Sequence, residues 1–490
     1  MAEFNLRPDF AKIPNVKFSY PIGACLDIPT SSIHVGKYGE HLINGGLGGI
    51  TGIVGIGNNF KSKILNFMML SAGSKFPQST FSTYDTEINI SEAHLKELVK
   101  NIPEFNAEDI IDTGRWAITD KTAYFGNEWF EKLKEFMQAK IDNAKKITVE
   151  SPFLDRDGKT LLSMMIPTFT ALDSLTKFDT ESSNSMQEDN ELGDSGANTL
   201  YMKEGQAKKR MLSYLPKPVQ QSNNYMLITA HVGKNIPMDP RAAPVKKLQF
   251  LKNNDTLKGV TDDFTFLTTN CWQCQNATPL INDSTKGPEY PRYSSDNMKG
   301  DTDLFIVTLV QLRSKTGPSG LVLQLIVSQQ DGVQPGLTEF HYIKTNDRYG
   351  LNGSLQNYSL DLLPDVKLSR TTVRGKLEEN VALRRAMQTT AEMCQMKYLW
   401  HDLPEGLLIT PAELRQKLTE KGYDVDWLMG NCRSWWTYNN DKHPVPYLST
   451  LDLLKMALPE GYNKMGYRPY VPYWMSEDKK GIKPEFQFKK

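Results

Sequence analysis

The sequence predicts an α/β fold, a mostly parallel twisted sheet flanked by helices, with a mainly helical region following it. Three observations predict this. An apolar, β-branched run (Ile50, Ile53, Val54) ends in a glycine-rich turn and leads into the helix-like stretch 63–70. A second strand-to-helix unit follows at once, 79–84 passing through Asp85-Thr-Glu87 into a helix signal at 90–98. Beyond about residue 366 strand signals stop and helix caps take over. Two strand-to-helix units in succession argue for parallel pairing, and in such sheets ligands collect at the carboxyl ends of the strands.

Composition narrows the function classes. The 490 residues suffice for two to four domains and a large core. Lysine plus arginine balance aspartate plus glutamate at 57 against 57, so a polyanion site has to come from local segregation of charge. Five cysteines (Cys25, Cys271, Cys274, Cys394, Cys432), unevenly spaced, suit a reducing compartment. Cys271-Trp-Gln-Cys274 is a lone C-x-x-C inside a strand-like run from 264 to 277, without the second pair that a zinc site needs. With no bilayer-length apolar run and no signal peptide at the start, a soluble, intracellular protein with no membrane partner is expected.

Residues 1–40 read as a proline-punctuated arm (Pro8, Pro14, Pro21, Pro29), either a plain terminus or a segment that docks on a neighbouring subunit. The stretch 51–62 has the order of a phosphate loop: Gly55, Gly57, Asn58, Asn59, Phe60, Lys61 and Ser62, with Lys63 opening the helix. Such a loop turns backbone N–H groups around a phosphate at a helix N-terminus, while a lysine neutralises charge and a hydroxyl holds Mg²⁺. Phe60 departs from G-x-x-x-x-G-K-[ST], standing where a second glycine belongs, and a phenylalanine does not readily adopt positive φ. Glu87 falls at the same sheet edge as the loop, where it is either a water-orienting acid or a helix-starting charge.

Residues 127–146 form an amphipathic helix. The apolar run 164–172 then ends in Asp173-Ser174, the place of a carboxylate that orders the waters on Mg²⁺ opposite Ser62, though such an Asp also starts turns. The stretch 179–194 carries six carboxylates and no lysine or arginine and is expected to be mobile. After a helix at 205–215, the buried-looking strand 225–230 ends in His231. A second long loop to about 258 carries Lys234, Arg241, Lys246, Lys247 and Lys252 against Asp239 over 231–252, making it the better nucleic-acid candidate. The strand 304–312 ends in Arg313-Ser-Lys315 and turns at 317–320 into 321–327, a hairpin with cations at its tip. A long helix spans 376–399, and Thr410-Pro-Ala-Glu413 is a capping box opening a helix that closes at Gly422. Trp427, Trp435, Trp436 and Tyr438 serve either as base-stacking groups or, the favoured reading, as the core of a small helical domain. The basic tail from 479 is expected to be disordered.

In this order the motifs over about 20–345 resemble those of the RecA-type strand-exchange recombinases, most closely the phage T4-type subgroup. The loop ending Phe60-Lys61-Ser62 is similar to that subgroup's version, which also carries Phe before Lys-Ser. Tyr84-Asp-Thr-Glu87 is similar to its Tyr-Asp-Ser-Glu, and Leu172-Asp173-Ser174-Leu175 to the family's Mg²⁺-binding strand end. Glu191-Leu-Gly-Asp-Ser195 and Gln221-Ser-Asn223 are similar to stretches in and after the family's first DNA loop. Ile228-Thr-Ala-His231 resembles a strand that ends in Gln or His, and Arg313-Ser-Lys315 resembles a Lys-x-Lys.

The resemblance implies a RecA-like ATPase core over 41–365, an oligomerisation arm over 1–40, a helical domain over 366–490, and DNA-binding loops near 176–204 and 232–258. It implies ATP and Mg²⁺ as cofactors and a DNA-dependent ATPase acting at subunit interfaces. Its partners would be single- and double-stranded DNA, further copies of the chain in a helical filament, and a recombination mediator or single-strand-binding protein. Lys61 and the loop amides would cradle phosphates, Ser62 and Asp173 would hold Mg²⁺, and Glu87 would orient or deprotonate the attacking water. Arg313 and Lys315 would reach the γ-phosphate from the adjoining copy. His231, between phosphate and basic loop, would act as the switch between nucleotide and DNA. A hexameric helicase or motor on the same core, and a non-hydrolysing nucleotide-dependent scaffold, are the alternative readings.

Overall fold

The structure is a computed structural model. It describes residues 18–27, 33–43, 45–100, 108–155, 158–189, 197–234, 248–260, 263–293, 299–315, 317–354, 356–438 and 447–459, with 102, 105, 295, 467 and 469. Its centre is a ten-stranded sheet. In chain order its strands are β1 (Ile50–Gly55), β2 (Thr80–Asp85), β3 (Trp116–Asp120), β4 (Thr168–Asp173), β5 (Asn224–Lys234), β6 (Asp255–Leu257), β7 (Asn270–Pro279), β8 (Leu304–Ser314), β9 (Val322–Ser328) and β10 (Gly332–Val333). Across the sheet they run β10-β9-β8-β7-β1-β5-β4-β2-β3, with β6 paired to β5. From β7 to β3 all neighbours are parallel; β8, β9, β10 and β6 are antiparallel additions.

The expected α/β class with a mostly parallel sheet flanked by helices is therefore present, and the period of two along the strands builds it. Tyr225 and Leu227 of β5 face one core with Phe169 and Phe81, whereas Met226, Ile228 and Ala230 face the other with Leu172 and Tyr84. The first core is covered by α1 (Lys61–Gly73), buried on nearly every side, and the second by α3 (Gly126–Asp142), through Trp129, Leu133 and Met137. Between these helices in the chain lies α2 (Glu92–Lys100).

The C-terminal helices do not form a core of their own. Met387, Ala391 and Met393 of a helix at Val381–Leu399, and Leu414 and Leu451 beyond it, belong to the same apolar cluster as α1. Trp436 meets Phe76 edge-on at 5.4 Å and Phe153 at 5.7 Å, and Trp435 is 5% exposed, while Trp427 and Tyr438 pack half-buried against the same core, in line with the favoured reading of these aromatics as core. The described part of 1–40 also packs inward. Phe18, Tyr20, Ala24 and Leu26 are buried, and the Tyr225 hydroxyl donates to the Phe18 carbonyl at 2.7 Å. Residues 1–17 lie outside the described residues.

Several local expectations are corrected. The helix expected over 376–399 is two, Val373–Glu379 and Val381–Leu399, because Asn380 leaves helical geometry and its side chain caps the second by accepting from the Leu383 amide. The acidic stretch expected to be mobile contains α4 (Glu181–Asp189), started by the Glu181 amide donating to Asn127 Oδ1 and by the reciprocal Thr180–Ser183 bonds; residues 190–196 lie outside the description. Next comes α5 (Ala197–Tyr214). The strand-like run from 264 begins as a short helix, α6 (Asp263–Leu267), with Phe264 buried, and β7 starts only at Asn270. Strand β5 does not end at His231 but runs to Lys234, since β6 returns to pair with residues 232–234. The Thr410–Glu413 capping box and the cationic hairpin of β8 and β9 are as expected.

One half-buried acid makes a measurable prediction. Asp27 closes the turn at 22–27 by accepting from the amides of Ile22 (2.6 Å) and Gly23 (2.7 Å), and burial pushes its carboxyl up to about 7. Between the unfolded value of 3.8 and about 7 the native state binds the extra proton, so stability falls as pH rises through that window. Asp27→Asn is expected to flatten this slope, by up to about 4 kcal/mol in total, in urea melts taken from pH 4 to 7.5. His41, held down to about 4 by burial and by Lys455, acts in the opposite sense, so the difference between variant and parent isolates Asp27.

Candidate active site

Register aligns the phosphate loop, Asp173 and His231 on one edge of the sheet. Gly55 at the end of β1 lies opposite His231 on β5 and Cys274 on β7, and Asp85 at the end of β2 lies opposite Asp173 at the end of β4. Since Leu172 pairs with Ile228, Asp173 is level with Thr229, two residues before His231. The phosphate loop, Asp173, Glu87 and His231 thus converge at the carboxyl edge, where parallel sheets bind ligands.

The loop satisfies the backbone demands of anion binding without its second glycine. Phe60 sits at the N-cap of α1 with φ 57° and ψ 19°, the left-handed conformation a glycine would supply, and Asn58 also has φ 61°. For a bulky residue this costs about 1–2 kcal/mol. Packing offsets it: the Phe60 ring lies 5.0 Å from that of Phe305 on β8. Asn59 ties the loop to β7, its amide donating to the Cys274 and Gln275 carbonyls, each at 3.2 Å. The first-turn amides of Lys61, Ser62 and Lys63 have no intrahelical acceptor, as at any helix N-terminus, and are available to an anion.

The two loop glycines differ. A Cβ on Gly55 would lie 2.8 Å from the Cys274 carbonyl oxygen, whereas one on Gly57 would meet nothing within 4 Å. If the loop holds a nucleotide's phosphates, Gly55→Ala is expected to push it off β7 and weaken that binding about tenfold, while Gly57→Ala leaves it within about twofold. Titration with a fluorescent nucleotide measures both; equal effects would remove the steric argument.

Lys61 is 7% exposed and its ammonium donates to the Ile56 carbonyl at 2.7 Å. Burial lowers its pKa, opposed by Cys274, Asp173 and Glu87. The Ser62 hydroxyl bonds Asp173, which also accepts from Thr229, and burial pushes the Asp173 carboxyl up against those two bonds. This pair of hard oxygen donors fits Mg²⁺, which binds through one or two carboxylates plus water and phosphate oxygens. No group of three or more His, Cys, Asp or Glu able to hold a metal occurs among the described residues.

Glu87 is held at this edge by two side chains. Its Oε1 lies 2.6 Å from His231 Nε2 and accepts from the Ser174 hydroxyl at 3.0 Å. Burial raises its carboxyl, but the bonds from His231 and Ser174, with the charges of His231 and Lys61, outweigh that and hold it below the usual range. The turn that carries Glu87 is fixed by Asp85, whose carboxylate accepts from the amides of Glu87, Ile88, Asn89 and Ile90 at 2.6–3.0 Å. Asp85, Ser174 and Thr229 are absent from the residues the sequence singled out. Their signal was a cluster of polar residues at the ends of apolar strands, which turns also produce.

Four expected site residues stand differently. The Lys63 side chain is committed elsewhere, to His94 Nε2 at 2.9 Å and to the Gln329 carbonyl, so only its backbone amide serves the loop. Lys234 pairs with Asp255, which compensates its charge as a phosphate contact. Arg313 and Lys315 lie at the opposite edge: Arg313 pairs with Cys271 of β7, and the Lys315 amide donates to Thr269, whose own amide donates to Ile50 at the start of β1. Five strand residues, about 17 Å, separate Ile50 from Gly55, beyond the reach of a lysine or arginine in the same chain. The Arg313 guanidinium lies over Phe266, 5.6 Å from the ring centre, and its Nε has no hydrogen-bond partner among the described residues. Arg241, Lys246 and Lys247 lie outside the described residues. Cys271 and Cys274 are buried and free, with both thiols pushed up to about 12 by burial.

No protein-family model matches the chain, and no curated protein matches it. No helix among the described residues is long and apolar enough to cross a membrane.

Proposed function

We propose that the chain is a DNA-dependent ATPase of the strand-exchange recombinase kind, with a RecA-like core that assembles head to tail on single-stranded DNA. The observation that carries this reading is the division of the site between two edges of one sheet. A phosphate loop with a buried lysine, a Ser62–Asp173 pair and an acid poised by His231 occupy the carboxyl edge, while Arg313 and Lys315 lie about 17 Å away at the other. On this reading Arg313 and Lys315 cannot serve the loop of their own chain, and the site would be completed by the cations of another copy. Such a heterologous contact generates rings or open helices.

Within that reading, Mg²⁺ supplies charge neutralisation at the phosphates when bound. Lys61 and the α1 amides bind the phosphate chain, and Ser62 and Asp173 hold the metal. Glu87 orients the attacking water and receives its proton, and the bond from Ser174 keeps it in place. Arg313 and Lys315 of the adjoining copy would offset charge on the transferred phosphoryl group. The cationic segment after His231 would take the DNA backbone, with affinity falling steeply with salt.

Negative-stain imaging of the full chain with a slowly hydrolysed ATP analogue and single-stranded DNA tests the reading. Extended helical polymers are expected; closed rings would favour a helicase or motor, and unassembled monomers with every nucleotide would overturn it.

A further inference from the structure

Thr176, two residues past Ser174, is where four separate parts of the chain meet. Its hydroxyl accepts from the His231 amide at 2.8 Å and donates to the Lys258 carbonyl at 3.1 Å. Its carbonyl accepts from Lys208 Nζ on α5 at 3.0 Å, and Lys208 is only 2% exposed. The Lys258 amide returns to the His231 carbonyl at 2.8 Å. Gly259 has φ +59°, and a Cβ there would lie 3.3 Å from the Thr176 carbonyl oxygen and 3.6 Å from Lys208 Nζ. One residue thus joins β5, the segment returning after β6, and α5 to the strand end that carries Asp173 and Ser174.

A long, buried ammonium is an expensive way to fasten a helix to a turn. Burial lowers the Lys208 pKa, the Glu204 and Asp179 carboxylates oppose that, and the bond to the Thr176 carbonyl gives the buried ammonium a hydrogen-bond acceptor. Ser174, through its hydroxyl, is bonded to Glu87, and Glu87 to His231. A circuit therefore runs Glu87–Ser174–Thr176–His231–Glu87, its Ser174–Thr176 link being the covalent backbone through Leu175 and the others hydrogen bonds, with Lys208 and Lys258 attached at its threonine.

From this connectivity we infer that Thr176 is a positioning residue that transmits occupancy of the nucleotide site to α5 and to the Lys258–Gly259 segment together. The inference rests on the nucleotide reading of the site. Thr176 touches neither the phosphate loop nor the Ser62–Asp173 pair, so its role is coupling and not binding. Displacement of Glu87 or His231 by a bound phosphate changes the circuit, and both attached elements respond because they share one anchor.

Hydrogen exchange on the full chain, with and without a slowly hydrolysed ATP analogue, tests this alongside fluorescent-nucleotide titration. In the parent, nucleotide is expected to slow exchange several-fold over 204–212 and 255–260. Thr176→Val keeps shape but loses both hydroxyl bonds. It is expected to speed His231 amide exchange about tenfold without nucleotide, to leave nucleotide affinity within twofold, and to abolish the nucleotide response in both segments. Thr176→Ser restores it. Lys208→Met is expected to lose the response over 204–212 only, and carries the decision if the valine variant does not fold. A full response in Thr176→Val, or in Lys208→Met where that decides, overturns the inference and leaves the nucleotide reading standing. A parent that binds no nucleotide overturns the reading itself.

Discussion

Glu87→Gln is expected to lower ATP hydrolysis about 10²- to 10³-fold while nucleotide affinity stays within a few-fold of the parent. The substitution is nearly isosteric, and a Gln carbonyl oxygen can still accept from the Ser174 hydroxyl, so the turn and the loop keep their shape. It removes the negative charge and the ability to receive a proton. Because Glu87 is held below the usual carboxylate range, it is ionised throughout the neutral region and is a weak base. Its larger contribution is then the orientation of water, and the acid limb of the rate profile should fall below pH 4.5. Steady-state hydrolysis with and without single-stranded DNA measures this. A rate equal to the parent's would remove Glu87 from the chemistry, and a parent with no hydrolysis on DNA would point to a scaffold.

The second expectation concerns the edge 17 Å away and the copy that would meet it. Arg313→Ala and Lys61→Ala should each lose hydrolysis about 10³-fold, the first by removing a cation from the neighbour's site and the second by removing one from its own. Mixed in equal amounts and assembled on DNA, the two variants should recover activity. About a quarter of the contacts in a random head-to-tail array pair an intact Lys61 with an intact Arg313, so about a quarter of the parent rate is expected. Among the described residues the Arg313 side chain meets Phe266 and its backbone pairs at the end of β8, so its loss should leave the thermal midpoint little changed. A mixture no more active than the sum of its parts would show that the two residues do not share a site across copies.

How much of this could be read in the sequence follows from what sets each feature. Strand ends are fixed by local patterning, and Gly55, Asp173, Glu87 and the Arg313–Lys315 tip all fell where apolar runs and turn residues put them. Partnerships between distant segments are not local. Nothing near Lys234 announces Asp255, and nothing near Thr176 announces Lys208 or His231; those pairs exist because β6 returns to β5 and Lys208 of α5 reaches the Thr176 carbonyl. The Phe60 conformation runs against intrinsic preference and is supplied by Phe305, 245 positions later in the chain. The helix in the acidic stretch was hidden because composition reports charge and says nothing of the Thr180–Ser183 cap that starts it.

The contact between Phe60 and Phe305 has a mechanical consequence. Phe305 is the second residue of β8 and Arg313 its second to last, so a single rigid rod of about 26 Å leans on the anion cradle at one end and bears the guanidinium at the other. In a stack of identical copies, the posture of each cradle would set the aim of the cation offered to the next.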